Sequence, residues 1–196
     1  MSFYKNAKRK VEDANRQRLV RRRIRKFQSA FEQRRASLAP VDQAALEGCL
    51  TRLAPQTTGL DLIRVGPDND GGYLVPNDLD GLRAMFSPGV NAEIRFDLEM
   101  AQRGIECFLL DASVDEPAGL LPNMHFQQKF LGPKDEGQFV SLQSWVTDCA
   151  PPGDLMLQMD IEGAEYGVVD SASEDLMNRF RLMLIELHDL SDIIET

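Results

Sequence analysis

From Leu82 onward the chain alternates short apolar runs with amphipathic stretches, and that alternation limits the folds open to it. Leu82–Phe86 reads as a strand, Ser87-Pro88-Gly89-Val90-Asn91 as a turn, and Ala92–Arg103 as a helix stopped by Gly104. Glu106–Leu110 is a second strand, ending on Asp111, and Met124–Leu131 a third. Ser141–Cys149 is a helix with Ser141 as its N-cap, and Pro151-Pro152-Gly153 is a break. Asp154–Met159 is a strand, Ala164–Phe180 is largely helical, and Arg181–Leu187 is a further strand that ends at His188-Asp189. Strands separated by helices imply a parallel sheet with right-handed crossovers. The expected fold class is therefore α/β, with a Rossmann-like sheet.

The segments upstream differ in character. Residues 5–37 contain neither Gly nor Pro, and Val20, Ile24, Phe27 and Phe31 make a narrow apolar stripe at helical spacing. Residues 1–37 carry 13 Lys/Arg and 3 Asp/Glu, a net of +10, whereas the remainder of the chain carries a net of -19. The expected organisation is a basic amphipathic helical arm over residues 1–38 and a Rossmann-like domain over 39–196. Such an arm suits an anionic membrane surface or a protein partner, and equally suits packing on its own acidic domain. Aromatics are few and no base-reading motif is visible, so nucleic acid is not expected as a partner. Val41–Leu53 reads as a second helix. Leu60–Pro76 reads as two short strands around Asn69-Asp70-Gly71-Gly72, which supplies the positive-φ positions of a turn.

Three widely spaced cysteines, Cys49, Cys107 and Cys149, form no CxxC pair, so neither a disulfide framework nor a zinc site is indicated. No run of 18 apolar residues exists, and the basic N-terminus is followed by no apolar stretch of the secretory kind. A cytoplasmic location, with a peripheral membrane contact through the arm, is the expectation.

The chemistry concentrates where strands end. Ligands of open parallel sheets sit outside the carboxyl ends of the strands. There, the apolar run Leu155–Met159 leads directly into Asp160, Glu162, Gly163 and Glu165. The turn at Gly89 feeds a helix N-terminus, and Asp111 ends the next strand 22 residues later. An acid near that spacing commonly binds the hydroxyls of an adenosine ribose. The turn is not GxGxxG, which disfavours a pyrophosphate-containing dinucleotide and with it a nicotinamide oxidoreductase. A phosphate-free cofactor such as S-adenosylmethionine needs less glycine. His188, one of two histidines, follows the last strand, and its intrinsic pKa suits proton transfer. Asp160, Glu162 and His188 are also compatible with a divalent cation, although their spacing alone defines no metal site. Glu165 reads as the first residue of the next helix, where an acid favours the dipole. His125 and Trp145 read as structural.

Leu157-Gln-Met-Asp160-Ile-Glu162-Gly163-Ala164-Glu165 resembles the K-x-D-x-E-G-x-E signature of FkbM-like, class I S-adenosylmethionine-dependent methyltransferases. Leu184-Ile-Glu186-Leu-His188 resembles the E-x-H strand that follows it in that family, and Arg64-Val-Gly66 with Asp70-Gly71-Gly72-Tyr73 resembles an N-terminal segment of one branch. The resemblance covers residues 60–190. It implies a class I methyltransferase sheet with Ser87, Gly89 and Asn91 in the cofactor turn. Asp111 would hold the ribose hydroxyls. Asp70, Gly71 and Gly72 would lie near the cofactor, and Asp160, Glu162 and His188 at the acceptor. It further implies O-methyl transfer to a hydroxyl of a sugar or other small molecule. A full sheet of this class has seven strands, and the chain stops eight residues after His188, at what looks like the start of a helix. A shortened protein, a sheet completed by another copy in a homo-oligomer, and a degenerate module used for binding or assembly are therefore all open readings.

Overall fold

The structure, a computed structural model, describes residues 43–91 and 93–188. The expected arm over residues 1–38 and the segment after His188 lie outside the described residues. The chain divides into two units between Ala54 and Pro55. The first contributes helix α1 (Gln43–Arg52), within the stretch expected to be helical. The second unit spans residues 55–195.

Five parallel strands form its main sheet: β3 (Ala84–Pro88), β4 (Glu106–Leu110), β5 (Met124–Gln127), β8 (Leu155–Met159) and β9 (Phe180–Ile185), in the spatial order β5-β4-β3-β8-β9. The central pair β3 and β8 is buried along its whole length. This is why both read as near-continuous apolar runs: a parallel sheet covered on two faces has no polar side to alternate with.

Side-chain alternation then sorts the core. Met85, Cys107, Leu109 and Met156 point to one face and pack with Val90, Ile94, Phe96 and Met100. Phe96 and Met100 come from helix α2 (Arg95–Gln102). The hairpin β1 (Leu62–Val65) and β2 (Tyr73–Pro76) closes this side with Val65 and Val75. Phe86, Leu110, Leu155 and Leu157 point to the other face, against Trp145 and Val146 of α3 (Leu142–Cys149), Val168 of α4 (Glu165–Ser171) and Leu176 of α5 (Glu174–Met177). Trp145 is fully buried with its ring edge-on to Phe86 at 4.9 Å, the structural role expected of it.

Several boundaries shift for physical reasons. The helix after Gly89 starts at Arg95 rather than Ala92, because the Glu93 carboxylate accepts the Arg95 N–H at 3.0 Å and supplies its first-turn partner. The run Met124–Leu131 is not one strand. It breaks at Gln128-Lys129, and Phe130–Gly132 (β6) leaves the main sheet to pair with β7 (Phe139–Ser141). The helical stretch Ala164–Phe180 divides where Ala172 turns extended and Ser173 caps a new helix, its hydroxyl accepting the Leu176 N–H at 3.2 Å. Ser141 caps α3 as expected, accepting from Ser144 N at 3.2 Å. His125, on β5, is exposed, pairing with Glu106 at 2.5 Å and stacking on Phe108. Among the described residues no helix is long and apolar enough to cross a membrane.

Candidate active site

The carboxyl ends of β3, β4, β8 and β9 bring the expected residues to one edge of the sheet. The Gly89 N–H donates to the Leu110 carbonyl at 2.9 Å, which sets the turn after β3 beside Asp111 at the end of β4. Gly89 has φ 87°, and a Cβ there would fall 1.7 Å from the Asp160 carbonyl oxygen. Only glycine permits that approach. The close approach is thus to this chain's own backbone at the mouth of β8.

Ser87 is buried, and its hydroxyl donates to Gln158 Oε1 at 2.8 Å beneath the turn. Asp97, on the first turn of α2, is buried on the same side with Oδ1 unpartnered. Burial pushes its carboxyl up to about 6, against a lowering contribution from Ser87. Asn91 is exposed at the rim of the turn. Asp111 is buried and accepts the Ser113 N–H at 2.6 Å; burial raises its pKa, and Ser113 opposes the shift.

Asp70, Gly71 and Gly72 form the tip of the β1–β2 hairpin. The Arg64 guanidinium cinches that tip, donating to the Pro67 carbonyl at 2.6 and 2.9 Å. A Cβ on Gly72 would sit 1.8 Å from the Pro67 oxygen, so its bareness closes the turn itself. Gly71 lies against Glu93, just beyond the turn after β3. The hairpin reaches the sheet edge through Tyr73, whose hydroxyl lies 3.4 Å from Asp160 Oδ2 and whose ring packs edge-on against Phe96. Burial is the main cause that raises the Tyr73 phenol, and Asp160 adds to it.

The catalytic candidates converge. Glu162 adopts φ 56° and Gly163 φ 97°, a left-handed pair that turns the chain sharply after β8. A non-glycine residue held there stores strain of order 1–3 kcal/mol, a feature that gathers at functional sites. The turn leaves Glu162 Oε2 at 3.7 Å from His188 Nε2, with Asp160 Oδ1 also at 3.7 Å and Glu186 Oε1 at 4.0 Å. On the other side of the ring, Nδ1 lies 3.1 Å from Oε1 of Glu165. Glu165 opens α4, as read from the sequence, yet it is fully buried, and Oε1 also accepts the Ile161 N–H at 2.9 Å. Its carboxylate therefore ties the turn after β8 to His188.

Burial alone would pull the His188 pKa down, but Glu165, Asp160 and Glu162 outweigh it and hold the imidazole above its ordinary value. Asp160 is pushed up to about 6, first by burial and then by Glu186, with His188 opposing. Asp160 thus holds its proton closer to neutral pH than an ordinary carboxyl, and His188 holds its own more tightly than an ordinary imidazole.

No protein-family model, curated protein or solved structure matches the chain. The site must therefore be read from its own geometry. Asp160, Glu162 and His188 come together as expected. Glu165, Glu186 and Tyr73 join them unannounced. Glu165 and Glu186 lay inside the quoted motifs, but only the tertiary turn reveals that their carboxylates face the imidazole.

Asp111 is a buried acceptor beside the Gly89 turn, the kind of group that suits ribose hydroxyls.

Proposed function

We propose that the α/β unit is an S-adenosylmethionine-dependent O-methyltransferase acting on a hydroxyl of a sugar or other small molecule. The observation that carries the reading is topological. In chain order the sheet runs third-second-first-fourth-fifth, with an acid after the second strand and a carboxylate–imidazole cluster after the fourth and fifth. Open sheets of this order bind nucleosides across the first strand's end. The missing GxGxxG favours a cofactor without pyrophosphate, and the resemblance of the Asp160–Glu165 and Glu186–His188 segments to FkbM-like enzymes supports methyl transfer specifically.

In this reading the cofactor supplies an electrophilic methyl on a sulfonium. Asp111 binds the ribose hydroxyls, and the turn from Pro88 to Asn91 shapes the adjoining wall. Asp160 and His188 face the acceptor, and the cluster they form with Glu162 takes up the charge and proton of the reacting hydroxyl. Tyr73 and Glu165 position Asp160 and His188. Most of the rate gain would come from holding acceptor oxygen and methyl in line. A cytoplasmic location, with the basic arm at a membrane surface or protein partner, belongs with this proposal.

A second reading, a degenerate methyltransferase-like module used for binding or assembly, is favoured by the filled turn: Ser87 is committed to Gln158, and the space beside Gly89 is occupied by the Asp160 carbonyl. Calorimetry with S-adenosylmethionine separates the readings. Binding that is lost in Asp111→Ala is expected; absence of binding at millimolar cofactor would refute the enzyme. Binding with no loss of turnover in Asp160→Ala or His188→Ala would refute the catalytic assignment.

A further inference from the structure

Four carboxylates surround one imidazole at the mouth of β8. Three of them, from Asp160, Glu162 and Glu186, stand 3.7–4.0 Å from Nε2 of His188. Those separations are too long for hydrogen bonds. They leave these carboxylates gathered around the ring without a hydrogen-bonded counter-charge, an arrangement that a nearby cation would relieve. Even a protonated His188 would balance one of the four charges.

A second observation points the same way. Glu165 is fully buried, its Oε1 is engaged by Ile161 and His188, and its Oε2 has no hydrogen-bond partner among the described residues. A buried carboxylate oxygen without a partner is costly, of order 1–3 kcal/mol or more for a charged group. Donor atoms of Asp160, Glu165 and His188 all lie within 4.8 Å of one another. The sequence had suggested Glu162 as the third member; the fold places buried Glu165 in that position and leaves exposed Glu162 and Glu186 at the rim.

We infer that Asp160, Glu165 and His188 hold a divalent cation, with the exposed carboxylates of Glu162 and Glu186 adding negative charge from the rim rather than ligands. A set dominated by carboxylate oxygen with one imidazole suits Mg²⁺ or Mn²⁺ rather than a thiophilic metal. The cation screens the clustered carboxylates and holds the sharp Glu162–Gly163 turn against β9's end. If the methyl-transfer reading is right, the ion also lowers the pKa of a coordinated acceptor hydroxyl, and the cluster then acts through the ion rather than as a free imidazole. That consequence rests on the methyl-transfer reading; the binding of the ion does not.

The test uses the full chain and Mn²⁺ alone, without cofactor or acceptor. Electron paramagnetic resonance titration is expected to show one Mn²⁺ per chain, displaced by Mg²⁺, with affinity falling at least tenfold in His188→Ala and in Asp160→Asn. The two histidines provide a control that needs no variant. Substoichiometric Mn²⁺ should broaden the ring signals of His188 and spare those of His125, which pairs with Glu106 instead. No binding at millimolar Mn²⁺, equal broadening of both histidines, or a site that accepts Zn²⁺ but neither Mn²⁺ nor Mg²⁺ would overturn the proposal. Because no cofactor is present, failure here leaves the methyl-transfer reading standing, and failure of that reading leaves this result unaffected.

Discussion

Replacing Asp97 by asparagine should make the protein more stable above neutral pH and leave it unchanged in acid. Asp97 is 4% exposed, and Oδ1 finds no partner. Its carboxyl stands at about 6 in the fold against an ordinary 3.8, and burial is the main cause. A folded-state pKa raised above the unfolded value means that the native protein holds the proton more tightly. The associated stability is complete below pH 3.8 and is lost as pH rises through 6. A gap of about two units corresponds to roughly 3 kcal/mol at full ionisation. The substituted amide would carry no charge to bury and would keep the shape beside Ser87. Urea unfolding at a series of pH values should therefore show the Asp97→Asn protein ahead of the parent by about 2–3 kcal/mol at pH 8, with the gap closing toward pH 4. Two parallel stability curves, offset equally at every pH, would refute the reasoning, since only a titrating group can make the gap close.

Gly89→Ala places a methyl group 1.7 Å from the Asp160 carbonyl at a φ of 87°, so backbone must move. A loss of about 3 kcal/mol or more is expected, read as a large drop in melting temperature; a shift of only ~1 °C would show that the turn is slack. Ser141→Ala removes the cap of α3 and a partner of Ser144, and should cost about 1 kcal/mol in chemical denaturation, with Ser141→Asp recovering most of it. Equal stability of all three proteins would argue that α3 is held by Trp145 and Val146 alone.

Features governed by neighbours in sequence were readable before the fold. Strand β8 was legible because burial on both faces demands an unbroken apolar run, and Ser141 because an N-cap acts three residues away. The break at Gln128-Lys129 was not, since Phe126 and Leu131 are apolar on either side and only the pairing of β6 with β7 shows that they belong to different sheets. The site divides in the same way. Asp160 and His188 announced themselves as charge at strand ends. Tyr73 could not, because 87 residues separate it from its partner Asp160. The partner of Ser87 was equally out of reach of the sequence: its hydroxyl bonds Gln158, 71 residues away.

The contact between Gly89 and the Asp160 carbonyl bears on how such a site responds to occupancy. The loop that would meet a nucleoside and the strand end that would meet an acceptor share a van der Waals boundary made of main chain, with no side chain between them to rotate out of the way. Main-chain atoms in contact transmit displacement, whereas a flexible side chain would absorb it. A molecule that shifts the turn by a fraction of an ångström must therefore re-aim the Asp160 backbone and, through Ile161 and Glu165, the ring of His188. In the methyl-transfer reading, filling one half of the site would therefore set the geometry of the other.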